Sequence, residues 1–184
     1  ERGGYGFAPD RGEPVHVKIR TAFDTQTPSA NGVMVGVLGR LFFMTGEGAY
    51  SERVTALINA FSGDAPGSFM QLATFLNNFE FCAGAVQIVV IGPNTDSRTH
   101  DLIAAVHGRS LPNRILTVLE PGGILPVGHP AQGKAMQNGQ PTAYICQASA
   151  CSSPITSAVM LSQVLQLPRP PMSAQQAQQQ AANN

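Results

Sequence analysis

Gly32-Val33-Met34-Val35-Gly36-Val37-Leu38-Gly39-Arg40-Leu41-Phe42-Phe43-Met44-Thr45 is the stretch on which the fold of this chain turns. It predicts a helix of about four turns. Val33, Val35, Val37, Leu38, Leu41, Phe42, Phe43 and Met44 place apolar groups on every side of it, and Arg40 is its single charge. A helix without a polar face has to be covered all round. Gly46 is the expected stop. The apolar run is interrupted by Arg40 and is too short to span a bilayer.

Working outward, Phe23 to Asn31 reads as a loop, with Ser29 or Asn31 as helix cap, because a side-chain oxygen there can accept from an orphaned amide. Upstream, Gly4–Phe7 and Val15–Arg20 are predicted as short strands of a hairpin turned at Asp10-Arg11-Gly12. Downstream, about 49–61 is amphipathic, with Tyr50, Val54, Leu57, Ile58 and Phe61 at helical spacing. About 68–82 is again apolar nearly all round, with Phe69, Met70, Leu72, Phe75, Leu76, Phe79 and Phe81. Buried, half-exposed, buried is the alternation of inner and outer rings in an α/α toroid. Three helices cannot close such a ring, so the reading implies neighbours from missing sequence or from a separate chain.

The period changes after Gly84. Val86–Ile91 and Arg114–Leu119 are apolar, β-branched runs flanking a helix capped by Asp96, which reads as a parallel βαβ unit. Thr142–Cys146 is a third strand and Thr156–Leu167 an amphipathic helix. Beyond Pro168 the chain is rich in Pro, Gln and Ala and is predicted to be disordered. The expected organisation is residues 1–84 as a hairpin plus closing helices of a toroid, 85–167 as a small α/β subdomain and 168–184 as a tail. The expected class is mainly α with a small α/β unit.

Of the 184 residues, 12% are charged and the formal net charge is zero, so the basic footprint of a nucleic-acid or anionic-membrane binder is missing. Three cysteines make no disulfide framework and point to a reducing, cytoplasmic setting.

Three segments match a known family in order and spacing. They are Gly3-Gly4-Tyr5-Gly6-Phe7 with Asp24-x-x-x-Pro28-Ser29-x-Asn31; Val89-Val90-Ile91-Gly92 with Leu111-Pro112-Asn113; and Pro141-Thr142-Ala143-Tyr144-Ile145-Cys146-x-x-x-x-Cys151-x-x-Pro154-Ile155-Thr156. Together they resemble the C-terminal part of the large thioredoxin-domain-containing proteins, whose animal members are called spermatogenesis-associated. The resemblance implies a thioredoxin-like domain and a six-hairpin, glycosidase-like toroid elsewhere in the whole protein, and a carbohydrate-like ligand. Where the family loop reads Asp-Gly-x-Glu-Pro-Ser-Gly-Asn-Ser, this chain has Thr25, Thr27, Ala30 and Gly32, and the carboxylate at position 27 is gone.

Asp24, Ser29 and Asn31 are the candidate ligand-binding residues, with Asp24 as acceptor or general base toward a small polar ligand. A turn and a helix cap explain the same residue types. A glycosidase needs a second, facing carboxylate, and Asp10, Glu13 and Glu47 have no compelling position for it. Cys146 and Cys151 suit a redox pair, a disulfide across a turn, half of a zinc site without its second half, or two small core side chains. The Gly92–Ser97 loop has the place of an anion-binding turn but lacks G-x-G-x-x-G and G-K-[ST]. His16, His100, His107 and His129 are too scattered for a metal site, and no cofactor is implied. Three functions remain: a fragment or subunit of a thioredoxin-domain-containing toroid protein acting on or binding a carbohydrate-like molecule, a non-catalytic interaction subunit completing a partner's helices, or a thiol redox element.

Overall fold

The computed structural model describes residues 3–7, 19–148 and 150–166, which fall into two compact units, Glu1–Cys82 and Ala83–Asn184. Of the predicted hairpin, most of Val15–Arg20 and the turn at Asp10-Arg11-Gly12 lie outside the described residues, as does the predicted tail. Gly4–Phe7 is not a strand.

The first unit is helical: α1 (Ala30–Thr45), α2 (Gly48–Phe61), the short α3 (Ala65–Ser68) and α4 (Ala73–Gly84). Ser29 caps α1 through Gly32 N–H, and Gly46, at φ 70°, closes it in the left-handed conformation that a residue without Cβ adopts freely. The faces of α1 have separate jobs. Val35 and Leu38 pack with Leu57 and Phe61 of α2. Gly32, Gly36 and Gly39, at i, i+4 and i+7, form a second face on which α4 lies. A Cβ at Gly32 would meet Phe75 N at 2.9 Å, one at Gly36 would strike the Asn78 amide, and one at Gly39 would meet Cys82 Sγ at 2.5 Å. Phe61 and Phe75 meet edge to face, 6.3 Å apart, where these helices converge. The third face carries Val33, Val37 and Met44, which stay 41%, 42% and 63% exposed. The helix predicted from Ser68 begins only at Ala73. Phe69–Leu72 is a 3₁₀ turn that buries Leu72 and offers Gln71 O to Asp24 N–H.

The second unit is built on a four-stranded mixed sheet, ordered β2-β1-β3-β4, of β1 (Val86–Ile91), β2 (Arg114–Leu119), β3 (Thr142–Gln147) and β4 (Ala150–Cys151). β1 is parallel to β2 and antiparallel to β3. Every residue of β1 is buried because both faces of the sheet are covered. Ile88 and Val90 face α5 (Ser97–His107) and α6 (Ala158–Val164) through Leu102, Val106 and Leu161. Val89 and Ile91 pack with Tyr144 under the loop residues Leu125 and Ala131. Burial of each such side chain contributes about 1.5–3 kcal/mol.

The expected class is therefore corrected. The sheet is a full structural half, and the chain is an α/β protein, not a mainly helical toroid segment with a small α/β appendage. The error came from α1. Its apolar sequence draws attention to the helices, whereas the sheet with α5 and α6 is as substantial a part of the fold, and the glycines of α1 form a face that α4 approaches to backbone contact. No helix among the described residues is long and apolar enough to cross a membrane.

Candidate functional site

The loop between Thr21 and α1 draws its polar residues inward. Asp24 Oδ1 accepts from Ser29 N–H at 2.8 Å, and Oδ2 accepts from Thr74 N–H at 2.8 Å, in the first turn of α4. One carboxylate thus ties the caps of two helices whose N-terminal amides favour negative charge. Partial burial pushes the Asp24 pKa up, but the bonds from Thr74 and Ser29 outweigh it, and the net position is below the ordinary 3.8. The stabilisation is therefore complete above the ordinary value and is lost as pH falls through the depressed one. Asp24→Asn is expected to flatten the acid limb of stability below about pH 4, read from urea midpoints against pH. An unchanged slope would remove Asp24 from this role.

Ser29 Oγ accepts from Gly32 N–H at 3.3 Å and donates to Thr21 O at 3.4 Å. Asn31, 1% exposed, accepts from Tyr5 N–H at 2.7 Å and donates to Tyr5 O at 3.0 Å and Thr21 O at 2.9 Å. Its amide treats Tyr5 as a strand treats its neighbour, pinning the N-terminal segment. The structure thus brings Asp24, Ser29 and Asn31 together through backbone partners. Tyr5, which lies in the Gly3–Phe7 motif, completes the cluster with Thr21, Gln71 and Thr74, which carry no local signal in the sequence; Thr74 is 50 positions from Asp24 and Tyr5 is 26 from Asn31.

Cys146 and Cys151 are paired across β3 and β4 and are joined in a disulfide. Cys146 is fully buried under the loop face of the sheet, and Cys151 is half-buried. Two residues separate the paired Gln147 and Ala150, and Ala148 takes φ 51° to make the turn. The bond closes this hairpin where β4 contributes only two residues. Cys82 is a free thiol whose pKa burial pushes to about 11, with Arg40 opposing, which makes it unreactive.

In the Gly92–Ser97 loop, carboxylates already occupy the amides an anion would use. Glu120 Oε1 accepts from Asn94 N–H at 2.9 Å, and Asp96 accepts from Arg98 N–H and pairs with its guanidinium at 2.7 Å. His129 Nδ1 accepts from Ala131 N–H, and burial pushes its pKa down. His107 Nδ1 lies 3.1 Å from Arg114 Nη2, and His16 is outside the described residues. Among the described residues, no group of three or more His, Cys, Asp or Glu is placed to hold a metal ion.

No protein-family model matches the chain. It is similar to spermatogenesis-associated protein 20 of Homo sapiens, 28% identical over 170 residues that make up 89% of this chain and 21% of the relative. The proteins of that name from Rattus norvegicus and Mus musculus are 27% identical over the same share of the chain, 21% and 22% of their own lengths. The chain spans about a fifth of the length of the curated relatives it matches.

Proposed function

We propose that this chain, a distant relative of spermatogenesis-associated protein 20, acts as a non-catalytic interaction part whose helical unit docks on apolar helices belonging to a longer protein or to a separate subunit. The observation that carries the reading is the outer face of α1. Val33, Val37 and Met44 stand there at i, i+4 and i+11, each more than two-fifths exposed. Arg40, the only charge on that face, is exposed between Val37 and Met44, with its guanidinium over the Phe81 ring at 4.1 Å. A row of bare aliphatic side chains on one helix is a surface that another helix covers. The relatives, nearly five times as long as the matched segment, are large enough to contribute one.

Carbohydrate binding at Asp24, Ser29 and Asn31 and thiol redox chemistry at Cys146 and Cys151 rank behind this reading. The first cluster is also accounted for by capping, and the cysteines by closure of the hairpin.

The test is the native mass and composition of the assembly that holds the chain in its source cell. The expected result is an assembly containing other polypeptide sequence, from which the Val33→Glu/Val37→Glu variant is lost while its melting temperature is unchanged. An assembly containing this chain alone, or one indifferent to the two glutamates, would overturn the proposal.

A further inference from the structure

β2 lies at the edge of the sheet but has the composition of an interior strand. Arg114-Ile115-Leu116-Thr117-Val118-Leu119 contains no Lys, Pro or bulge, the devices that protect an exposed edge. Among the described residues no strand pairs with its outer side. Asn113 O and Leu119 O accept from Val86 N–H and Gly92 N–H, which sets the alternation along the strand. The backbone groups of Ile115 and Thr117 therefore face β1, and those of Leu116 and Val118 face outward. The edge is also apolar. Val118 is 36% exposed, and the loop that follows it holds Ile124 and Val127 at 91% and 87% exposure.

We infer that β2 pairs with β2 of a second copy of this chain, antiparallel about a twofold axis at Thr117. The outward groups restrict the register, because Leu116 and Val118 have to meet partners whose own groups point outward. Placing the axis at Thr117 sets Leu116 opposite Val118 and Ile115 opposite Leu119, apolar pairs on common faces. The same register sets Arg114 opposite Glu120 of the second copy, twice by symmetry. Neither Arg114 nor Glu120 has an ion-pair partner among the described residues. Arg114 donates to Arg109 O and contacts His107, and Glu120 accepts from the Asn94 amide. A parallel pairing would need the outward residues of one copy to meet inward-facing residues of the other, which a twofold pair in register cannot supply. The outward groups and the charges thus select a second copy in the antiparallel sense. The pairing makes one continuous sheet across the dimer, and it is independent of the α1 face.

The experiment is sedimentation equilibrium of the full chain over a concentration series. The expected result is a species of twice 19.4 kDa that dissociates on dilution. Val118→Pro removes an outward N–H and no bond to β1, so it should leave a folded monomer. Glu120→Arg places like charges opposite each other at both ends and should weaken the dimer on the order of tenfold. The double variant Arg114→Glu/Glu120→Arg should restore it to within about twofold. If Val118→Pro does not fold, the charge reversal and its rescue decide the matter. A chain monomeric at every concentration overturns the inference. So does a dimer that ignores the charge swap or that is lost through Val37→Glu.

Discussion

Gly32→Leu is expected to destabilise the helical unit by about 3 kcal/mol or more, from the cost of overpacking against a contact that cannot yield. Even the first added carbon would lie 2.9 Å from Phe75 N and 3.2 Å from Phe75 Cα. These are backbone atoms of α4, held in place by the Asp24 cap one residue earlier at Thr74. The clash is therefore relieved only by moving the two helices apart. That movement would also separate Phe61 from Phe75 and open the core around Leu72. Gly48 is the matched control. It begins α2 with nothing within 4 Å of the position its Cβ would take, and Gly48→Ala should be neutral or slightly stabilising because it restricts the unfolded chain. Urea midpoints followed by far-ultraviolet circular dichroism read both. Equal midpoints for the two variants would mean that α1 and α4 do not meet on glycine.

The second large effect is at Asn31. Asn31→Leu keeps the number and branching of the side-chain heavy atoms but deletes three hydrogen bonds, leaving Tyr5 N–H, Tyr5 O and Thr21 O without this partner. Unmade bonds of this kind cost about 1–3 kcal/mol each when the orphaned group stays buried. Because the Tyr5 end is half open to water, we expect a loss of about 3 kcal/mol in total. Hydrogen exchange adds a specific signature: the Tyr5 amide should lose its protection, while the amides of β1 should keep theirs. If Tyr5 exchanges as slowly in the variant as in the parent chain, the clamp is not what holds the N-terminal segment. A ligand role for Asn31 would leave stability in the absence of ligand nearly unchanged, so the same measurement separates the two uses of this residue.

Both effects mark where sequence reasoning stopped short. The spacing of Gly32, Gly36 and Gly39 at i, i+4 and i+7 is present in the sequence, but the sequence does not say which helix lies on it. A glycine face and an apolar face both exclude polar residues. They differ in how closely a neighbour approaches, and this depends on the neighbour. Asn31 and Asp24 were legible as polar residues at a helix start, and Ser29 as a cap. Their principal partners were not, because Tyr5 and Thr74 are joined to them only after the chain has folded back. On the sheet side, Val86–Ile91 and Arg114–Leu119 were read at their observed limits, and Asp96 at its observed capping position. The antiparallel return of β3 and the two-residue β4 were not seen, since two residues carry no period and strand direction leaves no mark on a short apolar run.

Periodicity, capping and turn chemistry act over a few residues, so the sequence by itself determined the longer helices, the three six-residue strands, and that the chain carries no strong net charge. Only the tertiary structure decided that the sheet anchors one of the two units, that Asp24 and Asn31 hold backbone far from them in sequence, and that, among the described residues, Val33, Val37 and Met44 of α1 stay exposed and the outer edge of β2 is unpaired. Those outcomes depend on which surfaces meet, and a surface is assembled from residues whose separation along the chain sets no limit on their distance in space.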